Sequence, residues 1–136
     1  MDSDKLYRFT APYLHEEDAP EDLQTSSSHE RLLSFRVVVS TCSEAGILQD
    51  LNVPVGHFSH IVIDEAAQAE EPLVMIPIVT FSNAYTNIIL AGDPHQLGPM
   101  IKSPTAARSG LGKSYFERLM RMRDIYGTGD TQVGKL

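Results

Sequence analysis

The stretch that decides the fold is HIVIDEAAQAEEP, residues 60–72, in which an apolar run ends in two adjacent carboxylates, Asp64 and Glu65. A second stretch, IILAGDPHQLGP at residues 88–99, has the same form, and RVVVST at residues 36–41 is a third apolar run. Nearly continuous apolar runs of this length are typical of strands in a parallel sheet that helices cover. The predicted strands are residues 36–41, 60–64 and 87–91.

The segments between these runs suit helical crossovers. Ser43 is placed to cap a helix over residues 44–51, and Pro72 is placed to open a short helix over residues 73–78. Strands that alternate with helices predict an α/β fold with a parallel sheet and flanking helices.

The chain turns helical after the third predicted strand. Ser103 is expected to start one helix, and Gly110 to stop it. Ser114 begins a capping box for a second helix, which should carry Leu119 and Met120 inward. Beyond residue 123 the chain is rich in glycine, so residues 124–136 are expected to form a connector and residues 1–123 one partial domain.

The formal net charge of −7 is concentrated in one segment. Residues 16–30 hold six of the 18 acidic residues and no lysine or arginine, so they are predicted to form a mobile acidic loop. The other 12 acidic residues nearly balance the 11 lysines and arginines. Charge therefore neither favours nor excludes a nucleic-acid partner.

Cysteine and hydropathy limit the class of protein. Cys42 is the only cysteine, which excludes a disulfide framework and a cysteine-based metal site. No apolar run approaches the ~18 residues of a membrane span, and the N-terminus lacks the features of a signal peptide. We therefore expect a cytoplasmic protein without a membrane partner.

The chemistry is expected where the predicted strands end. Ligands of an open parallel sheet bind outside the carboxyl ends of its strands, where Asp64 and Glu65 fall. One carboxylate suits Mg²⁺, and the next can orient and deprotonate a water for attack on a γ-phosphate. The stretch from Gly92 to Pro99 begins 28 residues after Asp64, and its Gln96 amide can donate to a phosphate oxygen or accept from a water. Alternatively, Asp64 and Glu65 only cap the next helix.

Together these stretches resemble motifs II and III of superfamily-one helicases. Further segments, YRFTAP, FRVVVSTCSEAGIL and GPMIKSPTAARSGLGKSYFERLM, resemble the Armitage-type branch of the RNA helicases related to the nonsense-mediated-decay helicase. The resemblance covers residues 5–123 and includes a DEAA box at residues 64–67. It implies a RecA-like domain of the P-loop NTPase class, one of a pair that hydrolyse ATP in the cleft between them and move on single-stranded RNA.

The resemblance also implies roles for single residues. Asp64 would bind Mg²⁺, Glu65 would be the catalytic base, and Gln96 would contact the γ-phosphate of ATP. Gln68 would line the nucleotide cleft facing the second RecA-like domain. RNA-silencing or RNA-decay proteins are possible partners by the same resemblance.

Two short segments match the RNA-contacting positions of the family. Ser40 and Thr41 fall in its STC motif, where hydroxyl and backbone N–H groups can donate to phosphate. Gly98 and Pro99 would lie against the RNA. Alternatively, Ser40 and Thr41 cap the following helix, and Gly98 and Pro99 form only a rigid turn.

The chain departs from the family pattern in one respect. No glycine-rich GxxxxGK[ST] loop occurs in it, because GLGK at residues 110–113 follows a predicted helix and lacks the spacing. The 136 residues alone are therefore expected to lack ATPase activity. A catalytically dead remnant that binds RNA or protein is the alternative function. A metal hydrolase built from His57, His60, His95 and Asp64 is disfavoured, since the first two histidines fall at the wrong end of the strand.

Overall fold

The computed structural model of the protein describes residues 6–8 and 28–122, and the side chains of residues 29, 30 and 32–122. The predicted connector at residues 124–136 and most of the predicted acidic loop, residues 16–27, lie outside the described residues. The elements are β1 (Leu6–Arg8), α1 (Ser28–Ser34), β2 (Val37–Val39), α2 (Cys42–Ala45), α3 (Ile47–Asp50), β3 (His60–Ile63), α4 (Glu71–Phe81), β4 (Asn87–Leu90), α5 (Pro104–Ala106), a π-helical turn (Ala107–Leu111) and α6 (Tyr115–Met120). Because α1 begins at Ser28, residues 28–30, which were predicted to be part of the acidic loop, are helical.

The strands that carry the candidate site pair as predicted. β3 and β4 are parallel, with Ile61 opposite Ile88 and Ile63 opposite Leu90. Each strand is one residue shorter than the sequence indicated. β3 covers His60–Ile63 and ends before Asp64, and β4 covers Asn87–Leu90 and ends before Ala91. The parallel α/β prediction is therefore confirmed for this pair.

The expectation of one sheet that contains all three predicted strands is wrong for the described residues. β2 pairs in parallel with β1, with Leu6 opposite Val37 and Arg8 opposite Val39. The structure therefore has two sheets of two strands each among its described elements. An apolar run predicts a strand but does not identify the strand with which it pairs. The short β1, which pairs with β2, was not predicted from the sequence.

The expectation that helices cover both faces of the sheet is also wrong. Ile61 and Ile63 are buried, whereas Val62 between them is 63% exposed. Ile89, the partner of Val62, is 47% exposed. Side chains of a strand alternate between faces, so, within the part of the chain that the structure describes, one face of the β3–β4 sheet packs against the core and the other is exposed.

The helical segment after β2 begins two residues earlier than predicted, at Cys42. Thr41, not Ser43, is the N-cap, because its hydroxyl accepts from the Glu44 N–H at 3.2 Å while the Glu44 carboxylate accepts from the Thr41 N–H. This reciprocal pair is a capping box. The helix then divides at Gly46 into α2 and α3.

The crossover between β3 and β4 is a longer helix than predicted. α4 begins at Glu71, with Pro72 in its first turn, and continues through Pro77 to Phe81. Its inward side chains include Val74, which is fully buried, and Phe81, whose ring meets the Phe58 ring edge-on at 5.7 Å. Tertiary packing of this apolar helix outweighs the cost of an internal proline.

The predicted helix boundaries after β4 are confirmed. Ser103 caps α5 by accepting from the Ala106 N–H at 3.3 Å, and Gly110 has a left-handed φ of 116° where the helical turn ends. Ser114 caps α6 and is only 1% exposed. Leu119 and Met120 were predicted to face inward from α6 and are half-buried. The α6 residues that pack on the core are instead Tyr115 and Phe116, at the start of the helix.

The core lies between α4, the buried face of β3 and the helices that precede β3. Its buried members are Leu32, Ala45, Leu48, Val53, Ile61, Ile63, Ala66, Val74 and Phe81. Ala66 connects this core to the candidate site, because it follows Asp64 and Glu65 directly and is fully buried. Among the described residues, no helix has the length and apolar character to cross a membrane.

Candidate nucleotide site

The carboxyl ends of β3 and β4 are held side by side by hydrogen bonds that continue past the strands. The Ala91 N–H donates to the Ile63 carbonyl at 2.9 Å, and the Ala66 N–H donates to the Ala91 carbonyl at 2.8 Å. The chain after β3 is therefore fixed against the chain after β4. This places Asp64 and Glu65 next to the segment that begins at Gly92.

The backbone of Glu65 is in a conformation that side-chain-bearing residues rarely adopt. Its φ is 51°, within the left-handed region, and its N–H donates to the Asp64 Oδ1 atom at 3.0 Å. Such a conformation costs about 1 to 3 kcal/mol and persists only where the surroundings hold it. Asp64 and Glu65 are both exposed, so the turn presents two carboxylates to solvent.

Gly92 is required by the close approach of the two segments. A Cβ atom at this position would lie 2.9 Å from the Ala67 backbone nitrogen and 3.2 Å from the Ala66 backbone nitrogen. Both neighbours are backbone atoms of the turn that follows Asp64, so they cannot move aside as a side chain can. Only glycine allows the two strand ends to pack at this distance.

Gln68 joins the two halves of the site. Its Nε2 atom donates to the Glu65 Oε2 atom at 2.9 Å and to the Gln96 Oε1 atom at 3.1 Å. The structure therefore brings three of the predicted residues, Glu65, Gln68 and Gln96, into one hydrogen-bonded group. Asp64 lies beside this group through its contact with the Glu65 backbone.

Asp93 shapes the loop that carries Gln96, and the sequence analysis assigned it no role. Its Oδ1 atom accepts from the His95 N–H at 2.9 Å, and its carbonyl accepts from the Gln96 N–H at 3.2 Å. A side chain that bonds its own backbone two residues on is an Asx turn. The Asp-Pro dipeptide at residues 93–94 was the signal that could have identified it.

Within the described ranges, the predicted RNA-contacting residues make no hydrogen bond to this group. The Thr41 hydroxyl is engaged with Glu44 both as acceptor, at 3.2 Å, and as donor, at 2.9 Å. Its geometry therefore supports the capping alternative, and Ser40 beside it is half-buried. Gly98 is exposed, with open space on the side where a Cβ would point except for the Gly112 carbonyl at 3.6 Å. Pro99 is half-buried, and RNA contact at these positions stays a prediction.

The histidine that begins β3 lies away from the carboxylates, whereas His95 lies in the loop that carries Gln96. His60 begins β3, and its ring contacts Ser59 Oγ at 3.0 Å and Asn87 Nδ2 at 3.4 Å. These contacts lie at the end of the strand pair opposite to Asp64. In the described part of the chain, no three His, Cys, Asp or Glu side chains are grouped so that they could hold a metal ion.

The donor set at the strand ends fits a hydrated Mg²⁺ rather than a fully protein-ligated metal. Mg²⁺ is usually held by one or two carboxylates, retains several waters and completes its shell with substrate phosphates. Asp64 and Glu65 supply two exposed carboxylates, and the neutral amides of Gln68 and Gln96 are suited to water and phosphate.

A second connection, which the sequence analysis did not identify, ties α6 to the start of α4. The Arg118 guanidinium donates to both Glu71 carboxylate oxygens, at 2.9 and 2.5 Å, and lies 5.1 Å from the centre of the Tyr115 ring. The bond to Glu71 raises the pKa of Arg118 above its ordinary value. Glu71 begins the helix that follows the carboxylate turn, so α6 braces the end of that turn.

The parallel strand pair, with acidic and amide side chains at its carboxyl ends and a crossover helix, defines a RecA-like α/β fragment of the P-loop NTPase class. A family model for the AAA domain matches residues 16–104, which is more than half of the chain.

Individual relatives indicate which group within this class of NTPases the chain resembles. The chain is 40% identical over 142 residues to Putative helicase mov-10-B.1 of Danio rerio, covering 96% of this chain and 14% of that protein. It is 50% identical over 100 residues to RNA helicase Mov10l1 of Homo sapiens, covering 74% of this chain and 8% of that protein. It is 40% identical over 87 residues to Probable RNA helicase armi of Drosophila melanogaster, covering 64% of this chain and 7% of that protein.

The chain belongs to the AAA-domain family and, within it, to the Armitage-type branch of the superfamily-one RNA helicases. The resemblance drawn from the motifs is therefore confirmed. The chain spans about 14% of the length of the zebrafish relative and 8% of the human one.

Proposed function

We propose that the chain is part of an ATP-dependent RNA helicase and supplies the magnesium-binding and water-activating side of its ATP site. The observation that carries this proposal is the hydrogen-bonded group of Glu65, Gln68 and Gln96 at the carboxyl ends of two parallel strands. Nucleotides bind at this edge of an open parallel sheet. The naming of several relatives as helicases supports the same reading and does not favour a catalytically dead remnant.

The two carboxylates take different roles. Asp64 would hold Mg²⁺, which when bound neutralises the charge that develops on the phosphates of ATP. The Glu65 carboxylate would orient a water and accept its proton as the water attacks the γ-phosphate. The two carboxylates also have different contacts, since Asp64 accepts from the Glu65 N–H whereas Glu65 accepts from Gln68, which supports separate roles.

Gln96 would contact the γ-phosphate from the neighbouring strand. It lies in the loop after β4, whereas Asp64 directly follows β3, and the two strands are adjacent. Because Gly98 and Pro99 lie only two and three residues after it, Gln96 stands between the nucleotide and the proposed RNA contact. This position supports a role in coupling hydrolysis to RNA.

The segment after Gln96 has the positive charge that a surface binding the RNA backbone requires. Residues 98–122 hold five of the 11 lysines and arginines and a single acidic residue, Glu117. Arg118 and Arg121 form ion pairs with Glu71 and Glu117. Lys102, Arg108 and Lys113 are exposed and can neutralise phosphates, which supplies most of the affinity for a nucleic-acid backbone.

The proposed partners are single-stranded RNA and a second RecA-like domain that closes the ATP cleft. Association with RNA-silencing or RNA-decay proteins, and residence in the cytoplasm, are part of the same proposal by family resemblance.

Equilibrium binding of magnesium and a nonhydrolysable ATP analogue to the complete helicase tests the division of roles. Asp64→Ala should lower the magnesium-dependent affinity by at least about tenfold, because it removes a charged contact. Glu65→Gln keeps the side-chain shape and should bind the analogue within about threefold of the wild type.

Asp50→Ala is the matched control for these variants, since Asp50 is an exposed aspartate at the end of α3. It should bind like the wild type. Equal losses of affinity in the Asp64 and Glu65 variants would contradict the assignment of separate roles.

A further inference from the structure

We infer that Gln68 is a positioning residue that fixes the Glu65 carboxylate and the Gln96 amide in one arrangement, and that it leaves the Gln96 amide nitrogen as the donor to a phosphate. The inference rests on the proposed function. It adds to the predicted place of Gln68 in the nucleotide cleft a direct contact with two other residues of the site.

The orientation of both amides follows from donor and acceptor chemistry. An ionised carboxylate can only accept hydrogen bonds, so Gln68 must turn its NH₂ group toward Glu65. The same Nε2 atom lies 3.1 Å from Gln96, so the Gln96 atom that faces it must be the carbonyl oxygen. Either amide turned the other way would place two acceptors or two donors against each other.

This network decides what Gln96 offers to the nucleotide. Its Oε1 atom is engaged with Gln68. Its Nε2 group makes no hydrogen bond to any residue in the described ranges 6–8 and 28–122. Sequence reasoning allowed Gln96 either to donate to a phosphate or to accept from a water. The geometry points to the donor role, because the Gln68 bond turns one lone pair of the oxygen inward and leaves both N–H donors of the Gln96 amide unengaged among the described residues.

Gln68 also makes the positions of Glu65 and Gln96 depend on each other. Both hydrogens of its NH₂ group are used, one toward each neighbour. A displacement of Gln96 therefore moves the donor that holds Glu65. The backbone around the group is fixed by the close approach at Gly92 and by the bond between Ala66 and Ala91. Movement is then confined to side chains, which allows Gln96 to report its contact with phosphate to Glu65.

The test is a double-mutant cycle on Gln68 and Gln96 in the complete helicase. Gln68→Met keeps the length of the side chain and removes both donors. It should lower the RNA-stimulated kcat by about 5- to 50-fold, the range expected for hydrogen bonds that include one to a charged group. KM for ATP should change by less than about twofold. Gln68→Met combined with Gln96→Met should lose no more than about threefold beyond the worse single variant.

A second measurement does not depend on turnover. The ratio of RNA affinities with and without a nonhydrolysable ATP analogue should fall toward one in Gln68→Met, because the link between Gln96 and Glu65 is lost. Gln49→Met is the matched control, since Gln49 is an exposed glutamine on α3. Its kcat and its affinity ratio should equal those of the wild type. The melting temperature of each variant should match that of the wild type, because these side chains are exposed.

The donor role of Gln96 has its own variant. Gln96→Glu keeps an oxygen that accepts from Gln68 but replaces the NH₂ donor with a second negative oxygen. It should weaken binding of the analogue by at least about tenfold, and by more than Gln96→Met does. Binding as tight as that of the wild type would show that the nitrogen does not face phosphate.

The outcomes separate the inference from the function on which it rests. Losses that multiply in the double variant, or an unchanged affinity ratio in Gln68→Met, would overturn the positioning role of Gln68. Failure of the proposed function would appear elsewhere, as a wild-type protein that hydrolyses no ATP or a Glu65→Gln variant that hydrolyses it normally.

Discussion

The candidate site depends on a few residues whose backbone matters as much as their side chains. Glu65 adopts a left-handed φ of 51° in the turn after β3, and Gly92 allows the neighbouring segment to pack within 2.9 Å of that turn. Together they hold the carboxylates and the Gln96 loop in contact. Among the described residues, Cys42 makes no hydrogen bond to this site. Partial burial raises the pKa of its thiol above the ordinary value.

Gly92→Ala should destabilise the site more than its small volume suggests. The added methyl group would meet two backbone nitrogens, and relieving such a contact by a backbone shift costs about 1 to 3 kcal/mol. The melting temperature and the affinity for a nonhydrolysable ATP analogue should both fall. Gly98→Ala is the stability control, because its Cβ would meet only the Gly112 carbonyl at an ordinary 3.6 Å. Equal melting temperatures for the two variants would show that the close approach is not rigid.

The short elements of this protein are specified largely by their ends. Thr41, Ser103 and Ser114 each cap a helix of fewer than eight residues through a side-chain oxygen. Two of these caps were predicted from the sequence, since serine followed by proline or by glutamate three residues later is a local signal. For the third helix the sequence left two candidates, Ser43 as the cap and Thr41 as the alternative, because both residues precede Glu44 and the boundary of β2 was placed too late.

The caps at Ser114 and Ser103 differ in burial, which gives a prediction for α6. Ser114 is 1% exposed, so Ser114→Ala leaves the Glu117 N–H without a partner at a site that water does not reach. We expect a cost at the upper end of the roughly 0.5 to 2 kcal/mol that caps contribute. Faster hydrogen exchange of the α6 amides would measure it. Ser103→Ala, at an exposed cap, should have the smaller effect on α5, and the reverse order would contradict this account.

The basic segment after β4 yields a prediction about RNA. Replacing Lys102, Arg108 and Lys113 together with glutamine should weaken RNA binding without regard to sequence. For a single strand, each lost phosphate contact should reduce the slope of log affinity against log salt by about 0.7. The measurement is RNA affinity at several salt concentrations. Arg121→Gln is the control, because Arg121 is paired with Glu117 and should contribute less. An unchanged salt slope in the triple variant would place the RNA elsewhere.

At the scale of the whole molecule, local signals predicted more than long-range ones. The pairing of β3 with β4, the crossover helix and the convergence of Glu65, Gln68 and Gln96 follow from strand patterns and from the rule that ligands meet the carboxyl ends of strands. The partner of β2 and the exposed face that carries Val62 did not follow, because apolar strand composition does not state which strand or helix will be adjacent. The two hydrogen bonds that Gln68 donates could not be predicted either, since nothing in the sequence links two amides that lie 28 residues apart.

The central claim is that Glu65 activates the water in an RNA-stimulated ATP hydrolysis. The most direct measurement is steady-state phosphate release by the complete helicase, with and without single-stranded RNA, for the wild type and for Glu65→Gln. We predict that Glu65→Gln lowers the RNA-stimulated rate by about 10²- to 10⁴-fold, the usual contribution of a general base, while the affinity for nucleotide and RNA is retained. A Glu65→Gln protein that releases phosphate at the wild-type rate would contradict the account.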